Sequence, residues 1–351
     1  MILPTHTSKG YARLGSPPYS LQIPVIILGV LASAFTIYSW DTQYVASISA
    51  ESYEYGIKQC AANFRVPAKS LQTRTVNPRY RIGGGSQQQA AVFVDCTLWN
   101  GDGLLYPNTD VLVENGLVQK VAATGVIATA GRRVVQCNQR YLTPGLVDMH
   151  SHVGTDSWPS FDGNSDTNED SSTITPQVRS LDAFNPWDPA IAIINSGGVT
   201  TSLVLPGSSN LIGGEAYAFK HHMAPSNRSD HMLLYAGLDS TDAKWRWIKF
   251  ACGENPRHSN ANGKPGMANT RLGEGWLLRQ SFAKALRAKH QQDDWCESAK
   301  GIKGVYGKSA HKHITERYPD SIHDDTLVSL LRGQVLLNNH CYEVYFINTD
   351  I

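Results

Sequence analysis

Two histidines one residue apart, His150 and His152, close the stretch Tyr141-Leu-Thr-Pro-Gly-Leu-Val-Asp-Met-His-Ser-His-Val-Gly154. On an extended strand, residues i and i+2 point the same way, so both imidazoles reach one point just beyond the strand's end. A metal ion could sit there. Neutral imidazoles suit divalent ions, zinc especially. Such an ion acidifies a bound water and polarises a carbonyl oxygen, which is what hydrolysis of an unactivated C–N bond requires. His221-His222 is a different case, because adjacent residues on an extended chain point oppositely; a surface pair is expected there. The acidic residues between Thr155 and Pro176 lack the spacing of a calcium loop and read as a solvated loop.

The elements that must position these groups follow from local pattern. Ala91 to Leu98 is β-rich, and Asn100-Gly-Asp-Gly103 is a turn. Asp110 to Glu114 alternates apolar and polar residues, Asn115-Gly116 is a hairpin turn, and Leu117 to Ala122 alternates again. This predicts a small antiparallel unit that runs through Arg133–Cys137 into the Pro144-Gly145 motif. Beyond His152 the spacing predicts a helix over Asp188–Ser196, a buried strand over 197–206 and a short strand over Leu233–Gly237. A strand over Trp245–Cys252 follows, then helices over Arg271–Lys289 and Asp324–Arg332 and a strand over Gln334–His340. In the first of those two helices Leu278, Phe282 and Leu286 are spaced for one face. Strands alternating with helices predict a parallel α/β barrel.

The Pro-Gly turn leading into a strand that ends in His-x-His resembles the first barrel strand of the amidohydrolase superfamily. Further segments resemble its imidazolonepropionase-like subgroup: Arg179–Phe184, Gly197–Thr201, Leu205–Gly214, Ile248–Pro256 and Asn339–Glu343. The resemblance implies an α/β fold, an incomplete (β/α)8 TIM-type barrel preceded by part of a small antiparallel β-sandwich domain; an apolar N-terminal segment adds an expected transmembrane helix ahead of both. The resemblance also implies one or two divalent metal ions, with His150, His152, Lys249 and His340 as ligands. Lys249, at the end of the fourth barrel strand, corresponds to a lysine that is carboxylated in many relatives, since an ammonium has no lone pair to offer. Pairing of Lys249 with a carboxylate is the alternative, and Glu254 is the second candidate for a bridging carboxylate. The family's strand-six histidine and its strand-eight aspartate, the general base, have no counterpart here, and Asp350 lies on no comparable strand. The catalytic base is therefore unassigned, no other cofactor is expected, and the sequence reads as C-terminally truncated. An open sheet of about five barrel strands would leave two unpaired edges and exposed apolar surface.

Composition narrows the partners. Charge is balanced, 31 basic against 30 acidic residues in 351, which argues against nucleic acid. Six well-separated cysteines with no Cys-x-x-Cys read as buried or incidental thiols rather than a disulfide framework. Between Arg13 and Asp41 no residue is charged, and Leu21–Trp40 has the length of a bilayer-crossing helix. Lys9 and Arg13 precede it and acidic residues follow, so the positive-inside tendency places the bulk of the chain in the lumen or outside the cell. A cleavable signal peptide, ending near Ala32-Ser33-Ala34, is the rival reading and would give a secreted protein. The sequon Asn227-Arg-Ser229 is compatible with lumenal exposure. The expected organisation is a cytosolic tail over 1–20, a signal anchor over 21–40, a linker over 41–89, the β-sandwich part over 90–143 and the partial barrel over 144–351. The function expected from the resemblance is hydrolysis of a non-peptide amide or cyclic amide in a small molecule by metal-activated water. The competing readings are a truncated, non-catalytic product with a partial metal site, and a membrane-tethered binding module built on the small β unit. Substrate, nuclearity and oligomeric state stay open.

Overall fold

A computed structural model describes residues 47–67, 77, 79, 90–222, 228–238, 244–260 and 270–343. The apolar segment Leu21–Trp40, most of the expected linker, Asn227 of the sequon and Asp350 lie outside the described residues. Among the described residues, no helix is long and apolar enough to cross a membrane.

The first sheet contains β1 (Ala91–Trp99), β2 (Leu105–Glu114), β3 (Leu117–Ala123), β4 (Arg133–Gln136) and β5 (Tyr141–Leu142). Strands β1 to β3 form the expected antiparallel meander. Its hairpin turns at Asn115 (φ 54°) and Gly116 (φ 71°), the left-handed pair that a two-residue turn matched to strand twist requires. Strands β4 and β5 run parallel to β1, so the unit is not purely antiparallel. Val92, Cys96, Leu112 and Ile127 are buried in it. Asp110, also buried, accepts from the backbone N–H groups of Asp95 and Gly125, tying β1 to the turn after β3.

The second sheet has the order β10-β9-β8-β7-β6, with β6 (Leu146–Ser151), β7 (Val199–Val204), β8 (Ile212–Lys220), β9 (Arg246–Ala251) and β10 (Val335–His340). Strands β6 and β7 are parallel, as are β9 and β10, but β8 is antiparallel to both its neighbours. The wholly parallel sheet expected from the sequence is therefore corrected. The segment over Leu233–Gly237 is no strand; Leu233 makes a single bridge to Phe219, just after the four-residue helix Ser229–Met232. The missed strand β8 carries Gly213-Gly214 directly after its first residue, Ile212. Gly214 has φ +121° and a Cβ there would meet the Val178 carbonyl, so only glycine fits. A register shift at that point redirects the alternation of β8.

Helices cover one face of this sheet. These are Ser180–Ala183 (α2), Pro189–Ser196 (α3), Arg271–Tyr306 (α6) and Asp325–Leu331 (α7); α4 is Ser229–Met232 and α5 is Glu254–Asn260. Helix α3 starts where expected, with Asp188 accepting from the Ala190 N–H as N-cap. Ile212, Ile248, Phe250 and Val335 pack against Ala285, Leu327 and Val328, with Leu278 and Phe282 alongside. Ala285 takes the buried position; Leu286, expected on that face, is exposed.

Helix α6 runs well past the predicted Lys289 because its second half has a partner of its own. Part of the expected linker is a helix, α1 (Ala50–Asn63), capped by Ser49. Tyr53 and Ile48 pack with Trp295, Ala299, Ile314 and Tyr318, and Cys60 is bonded to Cys296 of α6. All six cysteines are paired, Cys96 with Cys137 and Cys252 with Cys341, which corrects the expectation of incidental thiols. Partners 236, 41 and 89 residues apart leave no local signal. As expected, the second sheet ends in two edges without a partner among the described residues. They carry exposed apolar side chains, Val147 and Met149 on β6 and Leu336 and Leu337 on β10.

Candidate metal centre

The parallel strands β6, β7, β9 and β10 all end on the same side of the sheet, and the candidate residues gather at those C-terminal ends. His150 lies on β6 and His152 just after it; their rings meet edge-on with centroids 5.4 Å apart. Lys249 on β9 reaches across until its Nζ is 3.1 Å from His150 Nε2. His340, the last residue of β10, places its ring centroid 6.2 Å from that of His150. The four residues predicted from the sequence are thus brought to one place, across positions 190 residues apart in the chain, from 150 to 340.

His152 is held from behind. Its Nδ1 lies 2.9 Å from the Leu205 carbonyl oxygen, which can only accept, so Nδ1 carries the hydrogen and Nε2 keeps its lone pair. That is the arrangement a metal-ligating histidine uses. Burial is the largest cause holding the imidazoles of His150, His152 and His340 below the usual histidine range, and the Lys249 charge adds to it in each. All three therefore favour the neutral, ligating form.

Lys249 is 1% exposed and has no carboxylate partner among the described ion pairs, which sets aside the alternative of a paired lysine. Burial depresses its amine to about 8. The free amine titrates near about 10.4. Below pH 8 both folded and unfolded chains carry the proton, and burying it weighs fully on the fold. Between these two values the unfolded chain holds a proton that the folded chain has shed, so stability rises with pH. Urea midpoints at about pH 7.5 and about pH 10 should show this rise in the wild type and a smaller one in Lys249→Met. Equal rises in both would show that Lys249 titrates normally.

Glu254, the second candidate bridge, is exposed in the first turn of α5 and makes no contact with the cluster among the described hydrogen bonds and ion pairs. His221 is not on the surface as expected: it is buried, its Nδ1 donating to the Val199 carbonyl and its Nε2 accepting from Ser202 Oγ. It serves the β7–β8 pairing, and only His222 is exposed. The polar stretch after His152 is not wholly solvated either, since Thr155, Ser157, Thr173 and Thr175 are buried.

One residue absent from the sequence expectations touches the cluster, and a second backs it. Asn255, on α5, has its Nδ2 3.2 Å from His340 Nε2 and 2.7 Å from Ser208 Oγ. An asparagine before a proline carries no sequence signal for such a contact. Among the described residues, no three His, Cys, Asp or Glu side chains converge closely enough to hold an ion by themselves. The donor chemistry nevertheless fits an ion, with three imidazoles shifted toward the neutral form around a buried amine that has no carboxylate partner among the described residues. A polar cleft of about 690 Å³ opens at the opposite end of β9 and β10, around Glu215 and Arg246, and includes none of the four residues.

No family model matches the chain. Over 293 residues, 77% of this chain, it is 38% identical to the amidohydrolase tasK of Hapsidospora irregularis, and the match spans 28% of that protein. A 44-residue segment is 43% identical to the dihydroorotase of Trichlorobacter lovleyi, covering 12% of this chain and 10% of that one. Among solved structures, an amidohydrolase from Thermotoga maritima MSB8 superposes with a TM-score of 0.57 at 28% identity, covering 73% of this chain and 59% of that chain. The chain therefore spans less than a third of the curated relatives it matches. These relatives support the amidohydrolase superfamily, and the structural match fits an incomplete α/β barrel.

Proposed function

We propose that this chain carries part of a metal-dependent hydrolase that opens a carbon–nitrogen bond, an amide or cyclic amide other than an ordinary peptide bond, in a small molecule. The observation that carries this reading is the meeting of His150, His152, His340 and Lys249 at the C-terminal ends of three strands, with the lysine buried and without a carboxylate partner among the described residues. The tasK protein and the Thermotoga maritima protein, both named amidohydrolases, support it.

His150, His152 and His340 would hold a divalent ion, and Lys249 would join them once carboxylated. A neutral Nζ attacks the carbon of dissolved CO2, forms an N–C bond and releases one proton to solvent, leaving a carboxylate that can bridge. The amine's depressed value keeps a reactive neutral fraction available near neutral pH. A bound ion, zinc especially, supplies acidification of water and polarisation of the substrate carbonyl. The residues of this chain supply the rest: His152 is oriented by Leu205, and the buried lysine sets the charge at the floor of the site. The general base remains unassigned among the described residues.

The three cystine pairs support an oxidising, lumenal or extracellular setting, in keeping with Leu21–Trp40 as a signal anchor or signal peptide. The chain purified from an oxidising compartment should retain about one or two zinc ions, measured by plasma mass spectrometry. It should also turn over members of a panel of N-acyl amines and cyclic imides until chelator is added. Neither retained metal nor turnover would overturn the hydrolase reading in favour of a non-catalytic chain.

A further inference from the structure

Asn255 connects three segments at the ligating end of the sheet. It follows β9, its amide lies on Ser208 in the loop after β7, and it reaches His340 at the end of β10. The turn that leads into its helix is held from behind, where the Gly253 N–H donates to the buried Glu274 carboxylate of α6 at 3.1 Å. His340 has two ring nitrogens, and Asn255 occupies one of them, Nε2. Nδ1 makes none of the hydrogen bonds described for His340.

An amide has two unlike ends, and that decides the tautomer of the ring it faces. With Nδ2 toward His340, as in the structure, Nε2 must accept and Nδ1 carries the hydrogen. With the amide turned over, Oδ1 faces the ring, Nε2–H donates and the Nδ1 lone pair is free. Ser208 Oγ can accept from Nδ2 or donate to Oδ1, so it satisfies Asn255 in both orientations.

We infer that Asn255, backed by Ser208, is a positioning residue whose amide orientation selects the tautomer of His340 and so decides which of its nitrogens can bind a metal ion. The metal-free protein holds His340 as the Nδ1–H tautomer, and metal capture at Nδ1 is coupled to turning the Asn255 amide over. The tautomer claim stands on the contacts alone; the capture claim rests on the proposed function.

The full-length chain labelled with ¹⁵N-histidine tests both parts, at about pH 8 where the imidazoles are neutral. In the metal-free wild type the His340 signals should be those of the Nδ1–H tautomer. In Asn255→Asp, whose carboxylate can only accept, they should switch to the Nε2–H tautomer. In Asn255→Leu they should shift to a mixture, and the affinity for zinc should fall about tenfold to hundredfold, the usual effect of losing such a partner. The same His340 signature in all three proteins would overturn the tautomer claim whatever zinc does. Wild-type zinc affinity in Asn255→Leu would overturn the coupling to capture. A wild type that binds no zinc at all counts against the proposed function and the capture claim, and leaves the tautomer reading to be judged by the metal-free spectra.

Discussion

Replacing His150 and His152 together by asparagine should empty the candidate metal centre and reduce hydrolysis by at least about 10³-fold in kcat/KM. An ion that acidifies water and polarises a carbonyl contributes several kcal/mol to the barrier, and about 1.4 kcal/mol is a factor of ten. The two histidines share one strand end, and one of them touches the Lys249 amine, so no neighbour can replace both. Asparagine keeps a polar group of modest size at each position. At 152 it can still donate to the Leu205 carbonyl, which limits the cost to folding. Zinc content by mass spectrometry should fall to a small fraction of the wild-type value while the thermal melt stays cooperative. His221→Asn provides the contrast: that ring is buried in backbone and Ser202 contacts away from the cluster. It should lose stability and keep its zinc. A His150→Asn/His152→Asn protein with full zinc content and activity would remove these residues from the site.

The second large effect is on stability. Glu215→Ala should destabilise the fold by about 3 kcal/mol, read from urea unfolding, because it removes one of two carboxylate partners from a partly buried arginine and leaves the Tyr217 and Thr326 hydroxyls without their acceptor. Glu215 is 6% exposed and sits mid-strand in β8. It accepts from Tyr217 Oη at 2.9 Å and Thr326 Oγ1 at 2.6 Å, and it pairs with Arg246. Arg246 in turn reaches Asp325 at 2.8 Å and Ser329 Oγ at 3.1 Å, so one carboxylate links β8, β9 and α7. The low end of the range for broken buried pairs applies, since the Arg246 side chain is 33% exposed and keeps Asp325. Glu215→Gln should cost less, because an amide retains one acceptor for Thr326. A cycle with Arg246→Ala measures the pair directly, and additive losses would show that the two residues do not depend on each other. Zinc affinity should change little, because this network lies at the other end of β9 from the cluster.

Glu215 also marks the limit of what local sequence pattern encodes. A strand with Gly-Gly in its first three residues and a carboxylate near its centre does not read as a buried strand. The charge is tolerated because Arg246, 31 residues later, and Thr326, 111 residues later, supply its partners. No window of sequence contains them. The same holds for α1, whose apolar side chains find Trp295 and Tyr318 and whose Cys60 finds Cys296. Read alone, that helix belongs to a linker.

What the amino-acid sequence determined by itself was whatever depends on neighbours along the chain. The hairpin at Asn115-Gly116 follows from backbone conformations open to those residues, and the start of α3 from the reach of the Asp188 side chain to its own helix. The common direction of His150 and His152 follows from the two-residue repeat of a strand. Only the tertiary structure decided which distant groups face each other. It turned β8 against its neighbours, paired six cysteines, buried Lys249 beside His150 and set Asn255 on His340. Those contacts are chosen by packing and by the satisfaction of buried polar groups, which act through space and leave no spacing in the chain to read.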